Sequence, residues 1–266
     1  MTSANRPTSL DGRTYHVETK PGEMSNRIIT VGDPQRASMI SQHLDKVLFT
    51  HGSHRGFVTI TGLYKKLPVS IVAIGMGTPM MDFFVRETRM VVEGPLSIIR
   101  FGSCGSVCGA RTGDILVGEG AFAITRNYAY FDTEDNNKAV EPYVLSPSVQ
   151  GDAGLTALVV GEVVRAVGEQ RVFCGLVGNA DSFYASQGRR GDDFYDANDG
   201  LLDKVHKEFP RTVGLEMESH MLFHLASMST GRMNDQSRSV KAACALMVFA
   251  DREGNSFISP EESKEM

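Results

Sequence analysis

The chain of 266 residues contains no tryptophan and only four cysteines. The cysteines form no Cys-x-x-Cys pair and lack the spacing of small disulfide-rich secreted domains, which argues against a structural zinc site or a disulfide framework. We therefore predict free, buried thiols in a reducing compartment and no metal site. The cysteines are Cys104, Cys108, Cys174 and Cys244.

Long apolar runs and an excess of positive charge are also missing. The N-terminal stretch MTSANRPTSLDGRTYH lacks the apolar core of a secretion signal, and no later segment approaches the length of a transmembrane helix. Lysine and arginine number 27 against 32 acidic residues, which gives a net charge of −5. These absences predict a cytoplasmic protein that binds neither membranes nor nucleic acid.

Strand-like and helix-like segments alternate along the chain without a change in composition. The run RIITV leads into GDPQRASMISQHL, where Asp33 suits the N-cap and Pro34 the first helical position. GFVTITG and LPVSIVAIG have the pattern of two strands joined by a turn at LYKK, and AGLTALVVGEVVRAVG that of an amphipathic helix. The alternation predicts one α/β domain over residues 27–266, a central mixed β-sheet flanked by helices, preceded by a polar arm over residues 1–26.

Polar residues follow several of these strands, where open α/β folds bind ligands. In VGDPQR, Gly32 exposes backbone N–H groups at a helix N-terminus, and Arg36 lies one turn further on. SHRGF places Arg55 at the start of a strand, and SIIRFGSCGSVCGA places Arg100 in an apolar strand that breaks into a glycine-rich bend holding Ser103. A buried Arg100 needs a carboxylate or a bound phosphate, and guanidinium groups bind phosphate through paired hydrogen bonds. These residues favour a phosphate site, although a well-capped helix and a surface arginine are the alternatives for Arg36 and Arg55.

The segment VGNADSFYASQGRR combines aromatic, amide and guanidinium groups. Gln187 and Arg189 stand two positions apart, so on an extended segment they would point the same way. An amide beside a guanidinium can read the edge of a flat heterocycle that carries carbonyl and N–H groups. The alternative is a solvated loop, since both residue types are usually exposed.

The segment LEMESHMLFHLASMS has a helical pattern and begins with two carboxylates around a methionine. Glu216 and Glu218 could simply compensate the helix dipole. A carboxylate also accepts two hydrogen bonds from a vicinal diol, and Met217 offers a soft floor for a sugar ring. Phosphate donors, diol acceptors and a base reader together predict a nucleoside site with phosphate as co-substrate.

Taken in order, the segments GDPQR, SHRGF, RFGSCGS, NADSFYASQGRR and LEMES resemble the motifs of the nucleoside phosphorylase family, and most of all its uridine phosphorylase branch. The resemblance covers residues 27–252. It implies a three-layer α/β/α catalytic domain over residues 27–266 and reversible phosphorolysis of uridine to uracil and ribose 1-phosphate. It assigns phosphate to Gly32, Arg36, Arg55, Arg100 and Ser103, the base to Phe183, Gln187, Arg189 and Arg252, and the ribose to His16, Glu216, Met217 and Glu218.

The implied mechanism follows the charge that develops as the glycosidic bond breaks. Bound phosphate dianion faces the anomeric carbon and captures the cation that forms on the ribose. Gln187 and Arg189 donate hydrogen bonds to the base carbonyl and stabilise the departing base, while Glu218 orients the ribose hydroxyls. We therefore expect inorganic phosphate as co-substrate, no further cofactor and no metal.

The resemblance also implies a homo-oligomer with shared active sites. In the family, the arginine of the SHR motif comes from the neighbouring subunit, so Arg55 would complete a partner's pocket and a monomer would lack a full site. His16 would likewise reach a neighbour's 5′-hydroxyl, with a residue of a mobile arm as an equal alternative. A twofold dimer is the minimum unit, and three dimers could form a hexamer.

Four positions bear on ions and on base preference. Gly56 and Met80 replace the glutamate and the hydroxyl residue that are associated with a monovalent cation between subunits in bacterial relatives, so we expect no cation there. Asp251 lies near the position of the proton-donating aspartate of the purine branch, whereas Arg252 matches an arginine of the uridine branch. Asp251 could equally be a salt-bridged loop residue.

Other functions remain as alternatives. A purine nucleoside phosphorylase would share most of these motifs, and a nucleoside hydrolase would have no use for three arginines. A non-catalytic nucleoside-binding protein would keep the base reader without needing an anion pocket. The stretch VAIGMGTPM superficially resembles a dinucleotide-binding turn, but after Gly75 and Gly77 it lacks the third glycine.

Overall fold

The computed structural model describes residues 4–131, 140–229 and 235–259. The chain divides into two compact units, the first comprising Met1–Gly102 and His224–Ala243, and the second comprising Ser103–Phe223 and Cys244–Met266. The helices are α1 (Pro34–Ser41), α2 (Thr78–Val91), α3 (Tyr128–Phe131), α4 (Ala153–Val167), α5 (Leu201–Glu208) and α6 (Ser219–Met228). The strands are β1 (Arg27–Val31), β2 (Lys46–Gly52), β3 (Val58–Tyr64), β4 (Leu67–Ala73), β5 (Leu96–Ser106), β6 (Ile115–Arg126), β7 (Tyr143–Leu145), β8 (Val149–Gln150), β9 (Val172–Ala180), β10 (Thr212–Glu216), β11 (Val240–Asp251) and β12 (Ser256–Phe257).

In the first unit, neighbouring strands follow the order β5-β1-β4-β3-β2. β1 is parallel to both β4 and β5, whereas β3 is antiparallel to β4 and to β2. α1 packs on β3 and β4, and its Ala37 joins a buried cluster with Val31, Ile60, Ile71 and Ala73. Because β1 and β4 are parallel neighbours, their carboxyl ends meet at one edge of the sheet.

In the second unit, the order is β12-β11-β6-β9-β10-β5, with β7 and β8 paired to β6. β6, β9 and β10 are parallel, β11 is antiparallel to β6, and the end of β5 is antiparallel to β10. α4 packs on β6 and β9. A buried cluster joins Phe122 and Ile124 of β6 to Leu201 and Val205 of α5, and to Ala185 in a short 3-10 helix. The core therefore fixes the segment that follows β9.

Local structure follows the sequence pattern closely at two places. The side chain of Asp33 accepts hydrogen bonds from the backbone of Gln35 and Arg36, with Pro34 opening α1, as predicted. The hairpin between β3 and β4 turns at Lys65 and Lys66, whose φ angles of 48° and 67° match the left-handed geometry of a tight two-residue turn. Both predictions are confirmed.

Three local predictions are wrong. β5 continues unbroken through Ser106, so Ser103 lies in a strand rather than in a glycine-rich bend. The segment LEMESHMLFHLASMS is not one helix, because β10 runs through Glu216 and α6 begins only at Ser219. Cys174 is exposed and Cys108 only half-buried, although all four cysteines are free and Cys104 and Cys244 are buried as expected. Where a strand ends and which of its side chains are buried depend on the strands that pair with it, and these cannot be identified from the local sequence pattern.

The polar arm packs into the first unit over the part that the structure describes, residues 4–26. An isolated bridge joins Thr8 to Thr14, and Val17 and Thr19 are buried. The boundary at residue 27 between an arm and a catalytic domain stays a prediction. Among the described residues, no helix is long and apolar enough to cross a membrane.

Candidate active site

A glycine-lined edge in the first unit carries part of the predicted phosphate set. Gly32 follows β1, and its carbonyl accepts a hydrogen bond from the N–H of Gly75, which follows β4, at 3.0 Å. A Cβ at Gly32 would lie 3.3 Å from the Gly75 carbonyl oxygen, so this close approach of two backbones favours glycine. α1 begins directly after this contact, and its N-terminus is capped by the carboxylate of Asp33.

Arg36 and Arg100 bring two positive charges into this part of the first unit. Arg36 lies in the first turn of α1, and Arg100 is 4% exposed within β5. Burial lowers the pKa of Arg36, the Asp33 carboxylate opposes that effect, and the charge of Arg100 lowers the pKa further. Two guanidiniums close enough to interact in this way form a site whose energy improves when an anion binds.

The other two residues of the predicted phosphate set lie elsewhere. Arg55 is on the exposed turn between β2 and β3, with its guanidinium carbon 6.0 Å from the centre of the Tyr15 ring. Ser103 belongs to the second unit and is half-buried in β5.

The predicted base reader forms a compact group in the second unit. Gln187 is 2% exposed, and its amide oxygen accepts a hydrogen bond from Nη1 of Arg189 at 2.5 Å. The same Nη1 donates to the carbonyl of Phe183, and the guanidinium lies over the Phe183 ring at 3.8 Å. The amide and the guanidinium therefore lie side by side, as the sequence predicted, and the guanidinium also covers one face of the Phe183 ring.

The route to this arrangement differs from the one predicted. Gln187 ends a 3-10 helix, Ala185–Gln187, and Gly188 follows with φ at 64° in the left-handed region. The segment is thus a tight turn rather than an extended strand. The left-handed glycine reverses the chain and returns Arg189 to Gln187.

Arg252, which directly follows β11, forms hydrogen bonds to the same turn. Its Nη1 donates to the carbonyl of Gln187 at 2.9 Å and its Nη2 to the carbonyl of Gly188 at 3.3 Å. A Cβ at Gly105 would lie 3.3 Å from Cγ of Arg252, so glycine at that position leaves room for the arginine stem. Burial and the neighbouring charge of Arg252 lower the pKa of Arg189 to about 10, which still leaves the guanidinium protonated at neutral pH.

Other residues that hold this turn were not identified from the sequence. The carboxylate of Asp181 accepts hydrogen bonds from the hydroxyl of Ser186 and from the backbone of Arg126. Asn198 donates from its amide to the carbonyls of Ala185 and Arg189, at 3.0 and 2.8 Å. Asp181 stands inside the quoted motif, but Asn198 lies nine residues beyond Arg189 and carried no signal.

The two carboxylates of the LEMES segment have different surroundings. Glu216 accepts hydrogen bonds from the backbone of Glu218 at 2.9 Å and of Ser219 at 2.8 and 3.0 Å, so its carboxylate caps the start of α6. Glu218 is 2% exposed, and Met217 between them is half-buried. The dipole-compensating alternative thus describes Glu216, and the assignment of Glu218 to the ribose stays a prediction.

His16 is held firmly in the first unit. Its Nδ1 lies 2.6 Å from the carboxylate of Glu87 on α2, which also accepts from the backbone N–H groups of His16 and Val17. The imidazole stacks on Phe83 with ring centres 3.9 Å apart and planes 10° apart. With Nδ1 donating to Glu87, Nε2 is left to contact a ligand. The sequence did not point to Glu87.

Asp251 is a turn residue, but the salt bridge considered for it does not occur among the described residues. Its carboxylate accepts hydrogen bonds from the backbone of Glu253 at 3.1 Å and of Gly254 at 2.9 Å. The side chain therefore closes a turn at the end of β11. No group of three or more His, Cys, Asp or Glu side chains suited to a metal ion occurs within the described ranges.

Comparison with known proteins places these features in a family. Residues 26–233 match the model of the phosphorylase superfamily. A uridine phosphorylase of Thermococcus kodakarensis is 30% identical over 258 residues, which cover 96% of this chain and 83% of the relative. A DeoD-type 2 purine nucleoside phosphorylase of Photobacterium profundum is 29% identical over 217 residues, or 80% of each chain.

A solved structure agrees over almost the whole chain. It comes from a structural and catalytic analysis of two diverse uridine phosphorylases in the oomycete Phytophthora capsici, and it is 36% identical with a TM-score of 0.88, covering 97% of this chain and 91% of that chain. This likeness confirms the predicted fold class, a mixed sheet flanked by helices. With most of its length matched by the family model, the chain belongs to the phosphorylase superfamily.

Proposed function

We propose that this protein is a uridine phosphorylase, a pentosyltransferase that cleaves uridine reversibly into uracil and ribose 1-phosphate. The observation that carries the proposal is the buried amide of Gln187 hydrogen-bonded to the guanidinium of Arg189 against Phe183. This group offers a flat pyrimidine both an aromatic face and paired polar atoms. Relatives at 30% and 36% identity come from uridine phosphorylases, which supports the same substrate.

Phosphate acts as co-substrate in this proposal. Arg36 and Arg100 supply positive charge in the first unit, next to the close backbone approach at Gly32. Ser103 and a partner's Arg55 are proposed to complete the anion site. The bound dianion stabilises the cation that develops on the ribose and then attacks the anomeric carbon, so that the glycosidic bond breaks and ribose 1-phosphate forms.

The departing base takes up negative charge, which Arg189 stabilises. A protonated guanidinium in a partly buried site interacts more strongly with that charge than it would in water. Gln187 supplies amide atoms for the edge of uracil, and Arg252 keeps the turn in place through the Gln187 and Gly188 carbonyls. Arg252 thus supports the base reader, whether or not it also contacts the base.

For the ribose, we propose that Glu218 accepts the hydroxyls and that Met217 lies beneath the ring. Glu216 supports them by capping α6, and His16 presents Nε2 to the 5′-hydroxyl of a neighbouring subunit's substrate. The protein is proposed to act in the cytoplasm as a dimer with shared sites, and three such dimers would make a hexamer. The chemistry described needs phosphate and no other cofactor.

The proposal is tested by assaying uridine and inosine, each with and without phosphate. We expect turnover of uridine only when phosphate is present. Turnover of inosine alone would make the protein a purine phosphorylase. Turnover without phosphate would indicate a hydrolase, and binding without turnover a nucleoside-binding protein.

Replacing Glu87 tests the role of His16. In Glu87→Gln the side chain keeps its size but loses the charge and one acceptor oxygen that hold the imidazole and the backbone of Val17. We expect kcat/KM for uridine to fall about tenfold, since misplaced contacts weaken orientation. The rate with 5′-deoxyuridine should change little, because that substrate has no 5′-hydroxyl for His16 to bind.

The matched control is Glu93→Gln, which alters an exposed carboxylate just beyond α2. This variant should cleave both uridine and 5′-deoxyuridine at the wild-type rate. An equal loss with uridine and 5′-deoxyuridine in Glu87→Gln would show that Glu87 maintains the fold rather than the position of His16.

A further inference from the structure

One carboxylate of the arm joins two separate histidines of the first unit. Glu18 contacts Nε2 of His51 on β2 at 3.0 Å and Nδ1 of His54 at 2.9 Å, and it accepts from the backbone N–H of His54 at 3.2 Å. Its side chain is largely buried, although that of His54 is almost fully exposed. Glu18 also has φ at 57°, in the left-handed region that residues other than glycine seldom adopt. This unfavourable backbone conformation occurs where the arm contacts His54 and His51.

His54 belongs to the turn that carries Arg55. The turn is closed by hydrogen bonds from the backbone of Ser53 to the Phe57 carbonyl at 2.7 Å and from Gly56 to the Ser53 carbonyl at 3.0 Å. Arg55 at its tip is exposed. Its direction therefore depends on how the turn is held, and Glu18 is bonded to the residue immediately before it.

The same short stretch of arm also carries His16. Glu87 binds the backbone of His16 and Val17, and Glu18 follows directly. Tyr15, at the other end of the stretch, lies near the guanidinium of Arg55. Two carboxylates thus fix three consecutive residues, since Glu87 ties His16 and Val17 to α2 and Glu18 ties itself to the turn after β2.

We propose that Glu18 is a positioning residue that holds Arg55 and His16 together as one element, so that a second copy of the chain receives both side chains in a fixed spacing. The idea rests on the proposed function, in which Arg55 binds phosphate and His16 binds the ribose. It adds a physical link between the residue that contacts phosphate and the residue that contacts the ribose. A substrate site that receives its phosphate and ribose contacts from one tied element gains from orientation.

The test uses Glu18→Gln in the full-length protein. Without the charge, the turn and the arm are no longer held together, so we expect the KM for phosphate to rise about tenfold with kcat changed less than threefold. The affinity for inorganic phosphate, measured by isothermal titration, should fall by a similar factor. In an Arg55→Ala background, Glu18→Gln should add no further change in phosphate affinity, since Glu18 acts through Arg55.

The matched control is Glu23→Gln in the same arm. Glu23 pairs with Arg13 through contacts of 2.5 and 2.7 Å and, among the described residues, forms no hydrogen bond or ion pair with the turn, so its loss should leave phosphate affinity unchanged. Unchanged phosphate affinity in Glu18→Gln, additive effects with Arg55→Ala, or an equal effect of Glu23→Gln would each overturn the proposal. A protein that cleaves inosine and not uridine, yet shows the Glu18 effect, would overturn the proposed substrate and retain the positioning role.

Discussion

Co-expression of an Arg55→Ala chain with an Arg189→Ala chain is expected to restore about a quarter of wild-type activity, although each variant alone is nearly inactive. In a twofold dimer with shared sites, Arg55 of one subunit serves the pocket that holds Arg189 of the other. A hybrid dimer then has one site with both arginines intact and one site with neither. Random pairing makes about half of the dimers hybrids, each with one of two sites working.

Steady-state uridine phosphorolysis by the co-expressed protein measures this rescue, with the two variants mixed after separate purification as the control for subunit exchange. If Arg55 instead served the pocket of its own chain, every site in a hybrid would lack one arginine, and the activity would stay at the level of the single variants. The exposed position of Arg55, in contrast to the burial of Arg100, is the structural reason to expect rescue.

Arg189→Ala is expected to lower kcat for uridine by about 100- to 1000-fold, the usual loss when a donor to developing negative charge is removed. The guanidinium is held between the amide of Gln187 and the ring of Phe183, so it is positioned before the base begins to leave. The KM for phosphate should change little, because the charge that is lost faces the base. Single-turnover measurement of uracil release reports this chemical step directly.

The adjacent Arg190 provides a matched control. Its side chain is 79% exposed and pairs with Asp199 at 3.3 Å, so Arg190→Ala removes an identical charge one residue away from the base reader. We expect nearly wild-type turnover from that variant. Similar losses in both variants would show that net charge, rather than the placement of Arg189, decides the rate.

Local sequence was sufficient where a few neighbouring residues fix the backbone. The cap at Asp33 depends on one short side chain and the proline that follows, and the hairpin at Lys65 and Lys66 depends on two apolar strands of matched length. The pairing of Gln187 with Arg189 was also predicted, but for a reason that proved wrong. A 3-10 turn and a left-handed Gly188 bring them together, whereas an extended strand was expected.

The environment of each carboxylate could not be predicted in the same way. Glu216 and Glu218 look equivalent along the chain and both are buried, yet it is Glu216 whose carboxylate caps the start of α6. The difference arises because β10 runs through Glu216, and that strand exists through its pairing with β9 and β5. Such pairing depends on segments far away in the sequence.

The sequence by itself determined the alternation of strands and helices, the order of the polar motifs and the kinds of side chain available to bind phosphate, sugar and base. Only the tertiary structure decided that Glu87 binds His16, 71 residues away in the sequence. It likewise decided that Glu18 binds His54 in the turn of Arg55, 36 residues away. Hydrogen-bonding side chains act over about 3 Å, so which carboxylate meets which histidine is set by the packing of distant segments, on which composition and local periodicity carry no information.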